Sequence, residues 1–77
     1  MIKVLFFAHL KDVIGSESVT LEMGGENIIS LKKRISDQYR IDSLHTVMVA
    51  VNEEFADDST ILSDGDIVAF IPPVSGG

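Results

Sequence analysis

The sequence predicts an α+β roll, in which one helix covers one face of a mixed β-sheet. Strand-like apolar segments lie in both halves of the chain, and a single amphipathic helix lies between them. The length of 77 residues allows one domain with one small core. Its composition, 45% hydrophobic and 23% charged, is typical of a globular domain and too apolar for a disordered chain.

Two strands are predicted near the start of the chain. IKVLFFA, residues 2–8, is apolar on both alternating faces, which is typical of a central strand covered on both sides. The next segment, HLKDVIGSE, is predicted as a loop in which Gly15 and Ser16 mark a turn. SVTLEM, residues 18–23, alternates apolar and polar side chains and predicts a strand with one face in water.

The helix is predicted over residues 28–39, with Asn27 as its N-cap. Its apolar side chains recur on one side: Ile28, Leu31, Ile35 and Tyr39. Because this helix lies between hairpins, we expect it to cover one face of the sheet.

The remaining strands are predicted in the second half of the chain. VMVAV, residues 47–51, is a buried strand, and NEE at 52–54 is the turn after it. The last strand, IVAFI at 67–71, follows the turn signal SDGD. Pro72-Pro73 must end that strand because proline donates no hydrogen bond. We therefore predict a domain over residues 1–71 and an extended tail over 72–77.

Charge and cysteine content exclude several functions. Twelve acidic and six basic residues give a net charge of -6, which disfavours nucleic acid and anionic membranes and favours a basic partner protein. Without cysteine the chain has no disulfide, thiolate metal site or cysteine nucleophile. Since neither a secretory signal nor a membrane-length apolar run is recognisable, the expected location is the cytoplasm.

No grouping of side chains predicts a catalytic or metal site. His9 and His45 are far apart in sequence and lack metal-ligand spacing. Glu53-Glu54 would point to opposite faces of a strand. The other charged segments are interpreted as turns or as a solvated helix face, with partner docking as an alternative for the basic run: Asp57-Asp58, Asp64-Gly65-Asp66 and Lys32-Lys33-Arg34.

The tail IPPVSGG is the unusual segment. Two glycines at the last two positions arise by chance on the order of 0.5% of the time. The reach from Pro72 to Gly77 is at most roughly 20 Å, and the glycines can pass through a narrow channel. Such an end places an unhindered carboxylate in another protein's active site. Joined to AMP, the carboxylate is an acyl donor; with one oxygen replaced by sulfur, it is a thiocarboxylate that attacks carbon. A disordered terminus is the alternative.

The sequence resembles the small, sulfur-carrying subunits of molybdopterin synthase, which belong to the ubiquitin-like β-grasp family. The segments that carry the resemblance are IKVLFFA at 2–8, NIISL at 27–31, VAVN at 49–52 and, most specifically, LSDGDIVAFIPPVSGG at 62–77. Asn27 and Ser30 depart from the family, where a threonine and an acidic residue are common. That departure concerns helix capping only.

The resemblance implies five strands in a mixed sheet around one helix. It also implies that an E1-like activating enzyme uses ATP and magnesium to adenylate Gly77, which is then converted to a thiocarboxylate. The chain itself would hold no stable cofactor. In a heterotetramer, the tail would enter the large catalytic subunit and pass its sulfur to cyclic pyranopterin monophosphate. The implied tail-threading residues are Val74, Ser75 and Gly76, and the implied docking residues are Phe70 and Ile71.

Three other functions stay open from the residues. The chain could carry sulfur for another pathway, such as the thiazole of thiamine, although the Pro-Pro before the tail favours the molybdopterin branch. It could be a ubiquitin-like modifier joined to lysines, or an interaction domain with an inert tail. In each case the chain is not expected to be an enzyme alone, because a domain of this size has little room for an enclosed pocket.

Overall fold

The fold was analysed in a computed structural model that describes residues 1–41 and 44–72, apart from the side chain of His45. The elements are β1 (Ile2–Phe6), α1 (His9–Ile14), β2 (Ser18–Leu21), α2 (Ile28–Tyr39), a 3₁₀ turn (Leu44–Thr46), β3 (Met48–Val51), β4 (Glu54–Ala56) and β5 (Ile67–Ile71).

The strands form one mixed sheet in the order β2-β1-β5-β3-β4. The central pair, β1 and β5, is parallel, with Val4 opposite Val68. The outer pairs β1–β2, β3–β5 and β3–β4 are antiparallel. The predicted α+β class and the five-stranded mixed sheet are therefore confirmed.

The core lies between the sheet and α2. Ile2, Val4 and Phe6 alternate along β1 and are all buried, as the two-residue period of a strand requires. They share one hydrophobic cluster with the buried side of α2 and with Val68 and Phe70 of β5. The rings of Phe6 and Phe70 meet edge to face, with their centroids 5.9 Å apart. Each such fully buried side chain contributes about 1.5–3 kcal/mol to stability.

Helix α2 has the predicted bounds and the predicted cap. The backbone N–H of Ser30 donates to Oδ1 of Asn27 at 2.9 Å, which satisfies one of the free donors of the first turn. At the other end of the chain, β5 stops at Ile71, as the following prolines require. Pro72 itself is buried.

Two short elements correct the sequence analysis. The segment predicted as a loop contains α1, which buries Leu10 and ends at Gly15, whose N–H donates to the carbonyl of Lys11 at 2.9 Å. The segment predicted as a turn at 52–54 is a two-residue turn followed by β4. A six-residue helix and a three-residue strand are too short for their periods to be visible in the sequence.

The prediction that β1 is covered on both sides is wrong. Phe7 is 46% exposed and Leu5 is only half-buried, whereas Ile2, Val4 and Phe6 are buried. The described residues contain one long helix, α2, which covers one face of the sheet. The other apolar face of β1 is left largely open.

Candidate functional site

The sheet face opposite α2 is mostly apolar and largely uncovered, although the exposed Lys3, which pairs with Ile67, also lies on it. Strand pairing places Leu5 beside Ala69, Ala69 beside Ala50, and Ala50 beside Phe55 across four strands. A second row ends the sheet on the tail side, where Met48 pairs with Ile71. We call the following residues the open face: Leu5, Phe7, Met48, Phe55, Ile67, Ala69 and Ile71.

The exposure of this face is unusual for apolar side chains of such size. Met48 is 50% exposed, Ile67 is 47% exposed and Phe55 is 70% exposed. Single exposed apolar residues are ordinary on protein surfaces, but a contiguous group of them on one sheet face marks a binding surface.

The open face contains a concave depression of about 510 Å³. It is lined by the small side chain of Ala69 and by the bulkier side chains of Leu5, Phe7 and Ile67. Two residues of the β3–β4 turn, Asn52 and Glu53, complete the lining. The depression is therefore apolar, with a polar rim on one side.

The base of the tail lies at the end of this face. Strand β5 leaves the sheet at Ile71, which is half-buried and paired with the exposed Met48. A partner that receives the tail would thus meet the open face at the same time. The predicted tail residues themselves, Val74, Ser75, Gly76 and Gly77, lie outside the described residues, so their roles stay predictions.

Of the two predicted docking residues, only Ile71 lies on the open face. Phe70 has 0% of its surface exposed and belongs to the core cluster, so a direct docking contact by Phe70 is ruled out by its burial. The reason is the strand period: adjacent residues point to opposite faces, and Phe70 pairs with Val49 on the side of α2. The docking role of Ile71 stays a prediction.

Sequence reasoning missed most of the open face. The signal was present in IKVLFFA, whose two faces are both apolar, whereas the sequence pattern predicts one long amphipathic helix, at residues 28–39. One apolar face of the central strands therefore had to stay bare or be covered by a partner. Comparing the number of apolar sheet faces with the number of long helices could have identified four residues of the open face: Leu5, Phe7, Ile67 and Ala69.

The acidic segments serve as turn residues, as the sequence analysis interpreted them. The carboxylate of Asp57 accepts hydrogen bonds from the N–H and hydroxyl of Ser59 and from the hydroxyl of Thr60. These hydrogen bonds, chiefly the one from the Ser59 hydroxyl, hold the pKa of Asp57 below its ordinary value. Asp66 likewise accepts from the N–H of Ser63 at 2.8 Å and from Asn52 at 2.9 Å.

The basic run on α2 is only partly a solvated face. Lys33 and Arg34 are exposed, but the Lys32 side chain is only 12% exposed and its Nζ lies 3.1 Å from the carboxylate of Asp58. His9 is exposed on α1. Across residues 1–41 and 44–72, no cluster of histidine and acidic side chains could hold a metal ion. Nor does that part of the chain contain a helix long and apolar enough to cross a membrane.

The order of the sheet and the packing of helix α2 on one of its faces define a ubiquitin-like β-grasp domain. A model described as the ThiS family matches residues 4–77, and the chain belongs to this family.

Relatives and solved structures agree with this assignment. The chain is 41% identical over 81 residues to the molybdopterin synthase sulfur carrier subunit of Chlamydomonas reinhardtii, covering 99% of this chain and 98% of the relative. It superposes on SAMP1 from Haloferax volcanii with a TM-score of 0.81 at 25% identity, over 99% of this chain and 98% of that chain. A chain in the complex of subunits 1 and 2 of the molybdopterin-converting factor from Helicobacter pylori 26695 gives a TM-score of 0.71 at 26% identity, over 99% and 97% of the two chains.

Proposed function

We propose that this chain is the sulfur-carrier subunit of a molybdopterin synthase. The observation that carries the proposal is the family match, which runs through residue 77 and so includes the Val-Ser-Gly-Gly tail. A relative named as such a carrier is 41% identical across almost the whole length of both chains. The open face at the base of the tail supplies the docking surface that a carrier needs.

The proposed chemistry belongs to the backbone carboxylate of Gly77. With magnesium bound to ATP, an E1-like enzyme transfers AMP from ATP to that carboxylate and releases pyrophosphate. A hydrosulfide equivalent then attacks the acyl carbon, and AMP leaves with its oxygen, which gives the thiocarboxylate without a change of oxidation state. In the large subunit the thiocarboxylate sulfur forms a bond to a carbon of cyclic pyranopterin monophosphate, while a carbon–oxygen bond at that carbon breaks and the oxygen leaves with a proton. Water then hydrolyses the acyl–sulfur bond, which leaves the sulfur on the substrate and restores the carboxylate of Gly77.

The fold divides this work between the domain and the tail. The open face binds the large subunit through apolar contacts, and the tail carries the reacting group away from the domain. Val74, Ser75 and Gly76 thread the channel, and the span from Pro72 to Gly77 reaches at most roughly 20 Å. The general acid, the substrate contacts and the enclosed pocket come from the partner. The complex of subunits 1 and 2 of the molybdopterin-converting factor from Helicobacter pylori 26695, one chain of which resembles this one, supports a large subunit as that partner. We expect the assembly to be a heterotetramer.

The proposal is tested by intact mass and by product formation. Incubated with its activating enzyme, ATP, magnesium and a sulfur source, the chain is expected to exchange one oxygen for one sulfur. Adding the large subunit and cyclic pyranopterin monophosphate should then yield molybdopterin. A variant that lacks Gly77, and one with an extra residue after it, should fold normally and give neither product. Sulfur transfer by either variant would remove Gly77 from its role.

A second candidate is a ubiquitin-like protein modifier. It is favoured by the similarity to SAMP1, a small archaeal modifier protein, at a TM-score of 0.81. In that case the same incubation, supplemented with cell extract, would attach the chain covalently to lysines of larger proteins. A thiamine-pathway carrier would form the thiocarboxylate but give no molybdopterin with the large subunit.

A further inference from the structure

The turn between β3 and β4 has a backbone that disfavours one of its residues. Val51 pairs with Glu54, so the connection is a two-residue loop formed by Asn52 and Glu53. Both loop residues have positive φ, 50° and 72°, which defines the type I′ class of hairpin turn. Such turns favour asparagine at the first position and glycine at the second.

Asn52 is explained by its contacts. Its Oδ1 accepts from the N–H of Ile67 at 3.0 Å, its Nδ2 donates to Asp66 at 2.9 Å, and its backbone N–H donates to the carbonyl of Ile67 at 2.8 Å. These hydrogen bonds join the turn to the start of β5, and asparagine tolerates the left-handed conformation.

Glu53 has no such explanation. Its side chain is exposed, and its carboxylate forms no hydrogen bond or ion pair with another residue in the described part of the chain. A residue with a Cβ is therefore held in a backbone conformation suited to glycine, and its carboxylate gains no hydrogen bond or ion pair to the described residues in return. Strain of this kind is a pointer to function.

The position of Glu53 indicates what that function is. It lines the depression of the open face together with Leu5, Phe7, Ile67 and Ala69, and among residues 1–41 and 44–72 it is the single charged residue of that lining. An apolar depression with one carboxylate on its rim is complementary to an apolar side chain next to a cation. The net charge of -6 further favours a basic partner surface.

We propose that Glu53 is a specificity-determining residue of the docking face. Its carboxylate pairs with a lysine or arginine of the large synthase subunit, beside an apolar side chain that enters the depression. This inference rests on the proposed function, because it names the chemistry by which that subunit recognises the same face.

The test compares two adjacent carboxylates. Glu53→Gln and Glu54→Gln each change the net charge by one unit, but the pairing of Glu54 with Val51 places its side chain on the opposite face from Ala50 and Phe55. Binding of each full-length variant to the large subunit is measured by calorimetry at low and high salt. We expect Glu53→Gln to raise Kd about tenfold at low salt and to flatten its salt dependence, while Glu54→Gln changes Kd less than twofold.

A third variant separates strain from recognition. Glu53→Gly is expected to raise the thermal unfolding midpoint, since glycine suits the turn, and to weaken binding as much as Glu53→Gln does. If both substitutions at Glu53 bind like the wild type while the wild type still yields molybdopterin, this inference is overturned and the proposed function stands. A wild-type chain that neither binds the large subunit nor supports molybdopterin synthesis would overturn both.

Discussion

Replacing Ala8 by glycine should stabilise this protein, against the usual effect of that substitution. Ala8 follows β1 and precedes α1 with φ 53° and ψ -135°, a combination that a residue with a Cβ rarely adopts. Relief of such a conformation is worth about 1–3 kcal/mol. Glycine costs about 0.5–1 kcal/mol through the greater entropy of the unfolded chain.

The net gain is therefore between about 0 and 2.5 kcal/mol in the free energy of unfolding, with a central value of about 1 kcal/mol. Little is lost elsewhere: Ala8 is exposed, and the hydrogen bond from the N–H of Lys11 uses its backbone carbonyl, which glycine retains. For a domain of this size, 1 kcal/mol raises Tm by about 4–8 °C. Urea denaturation and thermal unfolding, both followed by far-ultraviolet circular dichroism, measure the two quantities.

Two further variants make the test specific. Ala69→Gly lies in β5, where φ is not positive, and should lose about 1 kcal/mol or more. Ala8→Val should destabilise the protein, because a β-branched residue fits positive φ worse than alanine. An Ala8→Gly variant less stable than the wild type would refute the reasoning that Ala8 is strained.

Three other substitutions test the cap, the core and a turn. Asn27→Ala should lower the free energy of unfolding, measured in urea, by about 1 kcal/mol, whereas Asn27→Asp should keep most of the wild-type stability. If both variants lose the same free energy of unfolding, the hydrogen bond from Ser30 to Asn27 does not stabilise the helix. Phe70→Ala should lower the free energy of unfolding by about 3–5 kcal/mol because it leaves a cavity in the core. An unchanged free energy of unfolding would show that Phe70 lies outside the core. Asp57→Ala should lower Tm at pH 7, where the carboxylate accepts hydrogen bonds from Ser59. Since those bonds lower the folded pKa, the stabilisation is present above the unfolded pKa of about 3.9 and is lost as pH falls through the lower folded value. The Tm difference between wild type and variant should therefore narrow towards pH 2, and a constant difference would contradict the assignment.

The long elements could be predicted because each contains a complete local signal. Helix α2 shows several repeats of its apolar period and follows its N-cap residue, Asn27. The cap is a contact within the first turn, so it does not depend on what the helix packs against. Strand β5 ends before Pro72 because proline has no backbone N–H to donate to a neighbouring strand, whatever the surrounding structure. The short elements α1 and β4 have no such signal and are held by their surroundings, as the burial of Leu10 in the shared core illustrates.

The candidate site could be predicted only in part, for the same reason. Tail chemistry depends on residue types and their order, so Gly77 and its neighbours could be proposed from the sequence. Which residues form the open face depends on which side of the sheet α2 covers. Phe7 and Phe70 are chemically identical, but one is on the open face and the other is in the core.

By itself, the sequence therefore determined the fold class, the bounds of the longest elements and the chemical character of the tail, because each follows from local covalent or periodic properties. The tertiary structure alone decided that Leu5, Phe7, Ile67 and Ala69 form a single depression, and that Glu53 stands at its rim. These residues come from three distant segments of the chain, and only the pairing of β1 with β5 and of β5 with β3 brings them together.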